Sequence, residues 1–307
     1  MSRRQFLVMV GAASAALAGY RIAARAASSG GTIAVPEVVP GEDIFAYISR
    51  VKGGFDLTLY RQLLGAANDF KEGDQAIGVA AADATTRSNA RALLANTKIK
   101  DLQEYPLLVD ELQRLIWQTT DQAQYAKVQD WTMGQLKEFL LTASEPDIKG
   151  VMYGLSSDTI GCVPKLMDNQ ELIALGQKIF NVVPGTRMGA KGYMGARIQP
   201  NSPTDHPDDV VWQVFDAFAY ATGDIVIGTN PVDSTVESVA TVEKALKDIV
   251  DTFELEDVIP WCVLSHIDVQ AEVRESYPGT VATMFQSLAG TDDCNKTFDI
   301  TVEKTGF

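Results

Sequence analysis

After Gly185, short apolar runs alternate with amphipathic segments, and this alternation restricts the possible folds more than any other feature of the sequence. The candidate strands are 196–199, 224–228, 259–264 and 281–285, and the candidate helices are 208–221, 236–253 and 269–276. Such an order is typical of a parallel sheet with crossover helices, so we predict an α/β fold. A closed (β/α)8 barrel needs eight strands. The pattern therefore indicates either a small open sheet or a chain truncated part-way through a barrel, and we favour the second reading.

The preceding segment, about 41–183, has apolar residues spaced by three and four, which predicts helices. Thr132 is placed to cap one of them, and Ser234 and Glu237 predict a capping box for helix 236–253. Three apolar faces are expected to be core; their members are Leu57, Tyr60, Leu63 and Leu64; Leu136, Phe139 and Leu140; and Leu172, Ile173, Leu175, Ile179 and Phe180.

The first thirty residues resemble an export signal. Arg3 and Arg4 precede Phe6 and Leu7, an apolar run covers 8–18, and small residues follow. Paired arginines in this position are typical of twin-arginine signals, which predicts an exported or periplasmic protein. The alternative is a retained anchor or an amphipathic tail. We therefore predict a signal peptide over 1–30, a mostly helical region over 31–190 and half of a barrel over 191–307.

Charge and cysteine content exclude several classes of protein. Residues 1–27 hold four of the 26 basic residues and no acidic one, so 22 basic residues face 40 acidic ones in the remainder. Such a chain repels phosphate backbones, so nucleic acid is not an expected partner. Cys162, Cys262 and Cys294 are far apart, and His206 and His266 are the only histidines. We expect neither a disulfide framework nor a metal site.

Polar residues follow each candidate strand, at the ends where parallel α/β folds bind their ligands. They are Arg197 and Gln199 at the first strand, Asn230 at the second, His266 at the third and Ser287 at the fourth. Each also has a structural reading: an arginine in a surface ion pair, an asparagine in turn chemistry before Pro231, or a histidine that serves packing. Because none of these groups is an acid, the set favours orientation of a polar substrate over hydrolysis by paired carboxylates.

Other catalytic patterns are weak or missing. The sequence contains no GxGxxG motif after a strand, no GxxxxGK[ST] motif and no GxSxG motif. The acidic run 204–209 is more simply a helix N-terminus than a metal cluster. Lys191 would be the nearest candidate for a Schiff-base lysine of another barrel lyase, but it precedes the first strand and does not lie at a carboxyl end.

Several colinear motifs resemble the large subunit of ethanolamine ammonia-lyase. They are ARIQPN at 196–201, GDIVIGTNPV at 223–232, CVLSH at 262–266 and FQSLAG at 285–290, with GDQAIGVAAA at 73–82 and DWT at 130–132 upstream. The resemblance runs from about Phe55 to the end. It implies a (β/α)8 TIM barrel, of which this sequence carries the helical N-terminal region and about the first four βα units.

The resemblance also implies a reaction. Members of the family use adenosylcobalamin to generate a radical that converts ethanolamine to acetaldehyde and ammonia, and the large subunit works with a small subunit in an oligomer of heterodimers. By motif, the resemblance gives substrate contacts at Arg197, Gln199 and Asn230 and cofactor contacts at Pro231, Gln286 and Ser287. The expected enzyme is a carbon–nitrogen lyase acting on a small amino alcohol.

Two departures from the family leave alternatives open. The family's substrate-binding glutamate and aspartate would lie beyond Phe307, and a buried ammonium group needs carboxylate partners, so we expect no turnover from this chain alone. An exported half-barrel that binds cobalamin or ethanolamine without catalysis is the alternative function. The signal also contrasts with a cytoplasmic or microcompartment location, which the family implies.

Overall fold

The computed structural model describes residues 31–183, 186–221 and 225–304. The predicted signal peptide lies outside these residues. The described residues divide into two compact units, the first formed by 31–109 and 113–178 and the second by 110–112, 179–183, 186–221 and 225–304. The sequence-based domain boundaries stay predictions. None of the described helices is long and apolar enough to cross a membrane.

The first unit is mostly helical, as the apolar spacing predicts. The α-helices between residues 44 and 176 are α1 (Ile44–Lys52), α2 (Leu57–Ala66), α3 (Glu72–Ala76), α4 (Ala84–Asn96), α5 (Ile99–Glu104), α6 (Glu111–Thr119), α7 (Gln122–Val128), α8 (Met133–Thr142), α9 (Glu145–Lys149), α10 (Ser157–Cys162) and α11 (Asn169–Gly176). Two short strands, β1 (Thr32–Ile33) and β2 (Ala80–Ala81), pair in parallel. The sequence analysis missed this pair because two-residue strands have no periodicity to detect.

Side-chain caps explain where several of these helices begin. Thr132 accepts a hydrogen bond from the Gln135 backbone N–H, and the Gln135 side chain accepts one from the Thr132 N–H, so the predicted cap of α8 is a complete capping box. Asp56 accepts from the Leu59 N–H at the start of α2. These bonds satisfy backbone donors that the first turn of a helix otherwise leaves unpaired.

Two of the three predicted apolar faces are core, and one is not. Tyr60, Leu63 and Leu64 of α2 are buried, although Leu57 at its start is 40% exposed. Leu136 and Leu140 of α8 are buried. The third prediction is wrong: α11 ends at Gly176 and not near residue 182, and none of its residues is buried. A broad apolar stripe shows that a helix is amphipathic, but not how much of the stripe the neighbouring helices cover.

The second unit contains the predicted parallel sheet. In its described residues the strands are β3 (Ala196–Ile198), β4 (Ile225–Thr229), β5 (Trp261–Leu264) and β6 (Thr283–Phe285), in the spatial order β3-β4-β5-β6. The helices are α12 (Pro207–Ala219), α13 (Val236–Thr252), α14 (Ile267–Ser276) and α15 (Asp292–Lys296). Each strand pairs in parallel with its sequence neighbour, which is the order of consecutive units in a (β/α)8 barrel. This confirms the predicted fold class, a partial TIM barrel.

Alternate strand residues form the core beneath the helices. Ile198, Ile225, Ile227 and Trp261 pack against apolar residues of α12 and α13 in one cluster. Val263 joins residues of α13 and α14 in a second cluster. Complete burial of each such aliphatic side chain contributes about 1.5–3 kcal/mol. The predicted capping box of α13 is incorrect in detail, because the N-cap is Thr235, whose hydroxyl accepts from the Ser238 N–H.

One carboxyl group lies inside this apolar layer. Glu243 of α13 is fully buried, and neither carboxylate oxygen has a hydrogen-bond partner within the described residues. The indole N–H of the neighbouring Trp261 donates instead to the Thr280 carbonyl oxygen at 2.9 Å. Burial raises the pKa of Glu243 to about 8, because the charged form loses its hydration. The folded protein therefore keeps this side chain neutral at neutral pH.

Replacing Glu243 with glutamine should remove a pH dependence of stability. The unfolded carboxyl group loses its proton near its ordinary pKa of 4.5, whereas the folded one keeps it up to about 8. The free energy of unfolding therefore falls as the pH rises through this window, by on the order of 1 kcal/mol per pH unit. Urea unfolding between about pH 5 and about pH 8 should show this slope in the native chain and not in Glu243→Gln.

The matched control is Glu272→Gln on α14, which removes the same charge from an exposed position. It should keep the slope of the native chain. A native chain whose stability does not decrease across this pH window would contradict the neutral state of Glu243.

Candidate active site

The predicted site residues lie at one edge of the second unit's sheet. Because β3 to β6 are parallel, their carboxyl ends meet at this edge. The residues are Arg197 within β3, Gln199 directly after it, Asn230 and Pro231 directly after β4, and Gln286 and Ser287 directly after β6. Arg197, Gln199, Asn230 and Ser287 are exposed, and Pro231 and Gln286 are half-buried.

The strand register decides which side chains share a face. Ile198, Ile227 and Val263 point towards the helices, so the residues that alternate with them lie on the opposite face. We call this opposite face the inner face, and it is formed by Arg197, Val226, Gly228, Cys262, Leu264, Thr283 and Phe285. Continued past the strand ends, the same alternation predicts that Gln199, Asn230 and Ser287 lie on this side.

Arg197 carries the one charge among these inner-face residues. Its guanidinium carbon lies 5.0 Å from the centre of the Phe285 ring. Among the described residues it makes no hydrogen bond or ion pair, so its N–H groups are left for other acceptors. Burial raises the pKa of the neighbouring Cys262, although the positive charge of Arg197 opposes this shift. Cys262 therefore stays a neutral thiol and offers Arg197 no counter-charge.

A buried aspartate holds the loop that carries Asn230 and Pro231. Asp205 accepts hydrogen bonds from the Val232 N–H and the Asp233 N–H, both at 2.8 Å, and from the Ser238 hydroxyl at 2.7 Å. Burial by itself would raise the pKa of Asp205, but these three bonds outweigh it and the pKa is lowered. The ionised carboxylate thus fixes the chain immediately after Asn230 and Pro231.

The end of β3 is fixed in a similar way. The Gln213 side chain of α12 accepts from the Asn201 N–H at 3.0 Å and donates to the Asn201 carbonyl oxygen at 2.7 Å. The Thr229 hydroxyl donates to the Pro200 carbonyl oxygen, which joins the ends of β3 and β4. Gln199 therefore directly precedes two residues, Pro200 and Asn201, that are held by hydrogen bonds from β4 and α12 respectively.

At β6, the Gln286 side chain is engaged within the protein. Its carbonyl oxygen accepts from the Ile267 N–H at 2.9 Å, and its amide donates to the Ser287 carbonyl oxygen at 2.9 Å. It therefore satisfies a backbone donor at the start of α14. Ser287, the next residue, is exposed.

His266 has the structural role that the sequence analysis weighed for it. Its Nδ1 accepts from the Asp268 N–H at the start of α14, and its Nε2 lies 3.0 Å from the Phe298 carbonyl oxygen, which requires a proton on Nε2. Within the described residues His266, Asp268 and Asp299 could approach one metal ion. The Lys304 ammonium group, however, lies 2.8 Å from Asp268 and 2.7 Å from Asp299 and supplies the positive charge there.

Comparison with known proteins decides the family. A family model described as ethanolamine ammonia lyase large subunit matches residues 55–305. The chain belongs to the ethanolamine ammonia-lyase large-subunit family. The curated large subunit of Escherichia coli strain K12 is 31% identical over 248 residues, covering 78% of this chain and 54% of the relative. That of Salmonella typhimurium strain LT2 is 30% identical over 247 residues with the same coverage.

The match confirms the resemblance that the motifs indicate. The chain spans about half the length of the curated relatives it matches. The matched range includes all six predicted site residues, whose roles stay predictions. Sequence reasoning missed Asp205, which was read only as part of a helix N-terminus. The sequence offered only an acid two residues before Pro207 as a signal. The structure adds a φ of 55° at Asp205, which is unusual for a residue other than glycine.

Removal of the Asp205 carboxylate should destabilise the second unit. In Asp205→Ala the half-buried hydrogen bonds from the N–H groups of Val232 and Asp233 and from the Ser238 hydroxyl lose their acceptor, which should lower the free energy of unfolding by about 2 kcal/mol. Chemical unfolding of both proteins at neutral pH measures this difference. Because the folded pKa is lowered, the contribution is complete above the ordinary pKa of 3.8 and is lost as the pH falls through the folded value.

The control is Asp257→Ala, at an exposed position before β5. It should leave the free energy of unfolding within about 0.5 kcal/mol of the native value. Equal stabilities of the Asp205→Ala and Asp257→Ala variants would show that the Asp205 contacts do not hold the loop.

Proposed function

We propose that the chain forms the substrate-binding part of an ethanolamine ammonia-lyase, which converts ethanolamine to acetaldehyde and ammonia. The observation that carries the proposal is the delivery of Arg197, Gln199 and Asn230 to one edge of the parallel sheet in a member of this family. Relatives named large subunits imply a small-subunit partner, which we propose for this chain as well.

The charges of the site determine the orientation in which ethanolamine binds. The Arg197 guanidinium repels the substrate's ammonium group and donates to oxygen, so the hydroxyl group binds towards Arg197. The side-chain carbonyl oxygens of Gln199 and Asn230 accept from the ammonium group. The chain's excess of 40 acidic over 26 basic residues favours approach of a cation. Orientation of both ends of a two-carbon substrate follows from these three side chains.

The groups at the strand ends are compatible with adenosylcobalamin. When bound, this cofactor supplies an organic radical through homolysis of its cobalt–carbon bond. The exposed Ser287 hydroxyl and the half-buried Pro231 ring, at the ends of β6 and β4, offer one polar and one apolar contact. The amide and guanidinium N–H bonds of the proposed substrate contacts are strong and are poor hydrogen donors to a radical. The protein's own contribution is to orient the substrate and exclude water.

Substitution of Arg197 tests the proposal. The complete polypeptide as its native source produces it, purified with its small subunit and supplied with adenosylcobalamin and ethanolamine, should release acetaldehyde. Arg197→Ala should lower kcat/KM by about tenfold to a hundredfold, since it removes charge-assisted hydrogen bonds to the substrate oxygen. Arg274→Ala, at an exposed position on α14, is the matched control and should retain native activity.

The two competing functions give different results. Binding of ethanolamine or cobalamin by the complete assembly without any acetaldehyde would favour the non-catalytic binding protein. A folded assembly that binds neither cobalamin nor ethanolamine would overturn both.

We also propose that residues 1–30 direct export. The support is the order of paired arginines, apolar run and small residues. Substitution of both Arg3 and Arg4 by lysine keeps the positive charge but removes the twin-arginine motif, so the protein should remain in the cytoplasm. Fractionation of cells and the mass of the exported protein, shortened near Ala26, measure the outcome. Export that is unchanged in the double variant would contradict a twin-arginine signal.

A further inference from the structure

The Arg197 side chain crosses the inner face from one edge of the sheet towards the other. Arg197 is on β3 and Phe285 is on β6, the two outer strands of the described sheet, yet the guanidinium carbon is 5.0 Å from the centre of the Phe285 ring. On the way it passes Gly228 on β4 and lies close enough to affect the pKa of Cys262 on β5. One side chain therefore contacts or influences all four strands.

Gly228 provides the space for this path. A Cβ atom at position 228 would lie 2.5 Å from Nε and 2.7 Å from Nη2 of Arg197, which is closer than real Cβ contacts. The backbone of Gly228 is ordinary extended strand, without the positive φ that would itself require glycine. The absence of a side chain at this position is thus explained by the guanidinium group that lies over it.

Phe285 is held in place by a buried glutamine. Gln270 of α14 is fully buried, and its side-chain carbonyl oxygen accepts from the Phe285 N–H at 3.0 Å. Its amide donates to the Phe285 carbonyl oxygen at 2.8 Å. The two bonds imitate a neighbouring strand, and they fix the backbone from which the Phe285 ring extends.

We propose that Gly228 and Phe285 are positioning residues that hold the Arg197 guanidinium flat against the inner face with its N–H edge free for an oxygen of the ligand. The inference rests on the proposed function for the identity of that ligand, ethanolamine. A cation above a ring is attracted by the electron density of the ring face. This contact consumes no N–H donor of Arg197, whereas a carboxylate partner would bind the same donors that the ligand needs.

Two readouts test the proposal in the full-length protein. The first is the NMR resonance of the Arg197 Nε–H group, identified by its loss in Arg197→Lys, which the Phe285 ring should shift. The second is the affinity for ethanolamine, measured by titration calorimetry of the complete assembly. Phe285→Leu should move the resonance and weaken binding by up to about tenfold, because the ring is lost. Phe285→Tyr, which keeps a ring face, should restore both values.

Gly228→Ala should displace the guanidinium group and therefore also move the resonance and weaken binding. The controls are Phe298→Leu, where the side chain is 70% exposed, and Gly290→Ala, where an added Cβ meets nothing within 4 Å. Both should leave the resonance and the affinity unchanged. Thermal unfolding of each variant distinguishes a loss of folding from a loss of position.

The outcomes separate this proposal from the proposed function. If Phe285→Leu moves the Arg197 resonance but the native assembly binds no ethanolamine, the positioning contact stands and the function fails. If the native assembly binds ethanolamine and Phe285→Leu changes neither readout, the positioning proposal is overturned. A Phe285→Leu variant with a shifted Arg197 resonance but the native affinity for ethanolamine would also overturn it, since the contact would then have no effect on ligand binding. Where Phe285→Leu does not fold, the same criteria apply to Gly228→Ala.

Discussion

Burial of alternate strand residues beneath the helices is the constraint on which the site depends. Ile198 and Ile227 have to face α12 and α13, because their exposure would forfeit about 1.5–3 kcal/mol each. Side chains alternate along a strand, so this requirement sends Arg197 and Gly228 to the inner face. A slip of one residue in the register would bury Arg197 and expose both isoleucines. The apolar layer therefore fixes the orientation of the polar groups without touching them.

Helical glutamines extend this control to the ends of the strands. Gln213 and Gln270 each pair one side-chain amide with both backbone groups of a single residue, Asn201 and Phe285 respectively. An amide has one acceptor and two donor hydrogens, so it can satisfy both the N–H and the C=O of a residue at or just after the end of a strand. Each glutamine thus couples the position of a helix to that of a strand end where a proposed ligand contact lies.

How much of this was predictable depends on the kind of signal. The four strands and the helices α12 to α14 followed from periodicity, whereas the short helix α15 was not predicted. The contact between Arg197 and Phe285 was not predicted either, since it joins strands 88 positions apart in sequence and depends on the path of one side chain. The burial of Glu243 was equally hidden, because an acid among valines and leucines on a helix reads as its solvated face. Solvent exposure of the α11 stripe required knowledge of its neighbours.

Arg197 contacts an aromatic ring and not a carboxylate, although the chain is rich in acidic residues. In a chain with 40 acidic residues a carboxylate partner would be easy to provide, and it would fix the guanidinium group by two parallel hydrogen bonds. Such a pair would also neutralise the charge and occupy the N–H groups that face the ligand. A ring face attracts the cation without accepting its hydrogens. The Phe285 ring binds Arg197 more weakly than a carboxylate would. It leaves the charge and the N–H donors of Arg197 available at the carboxyl ends of the strands.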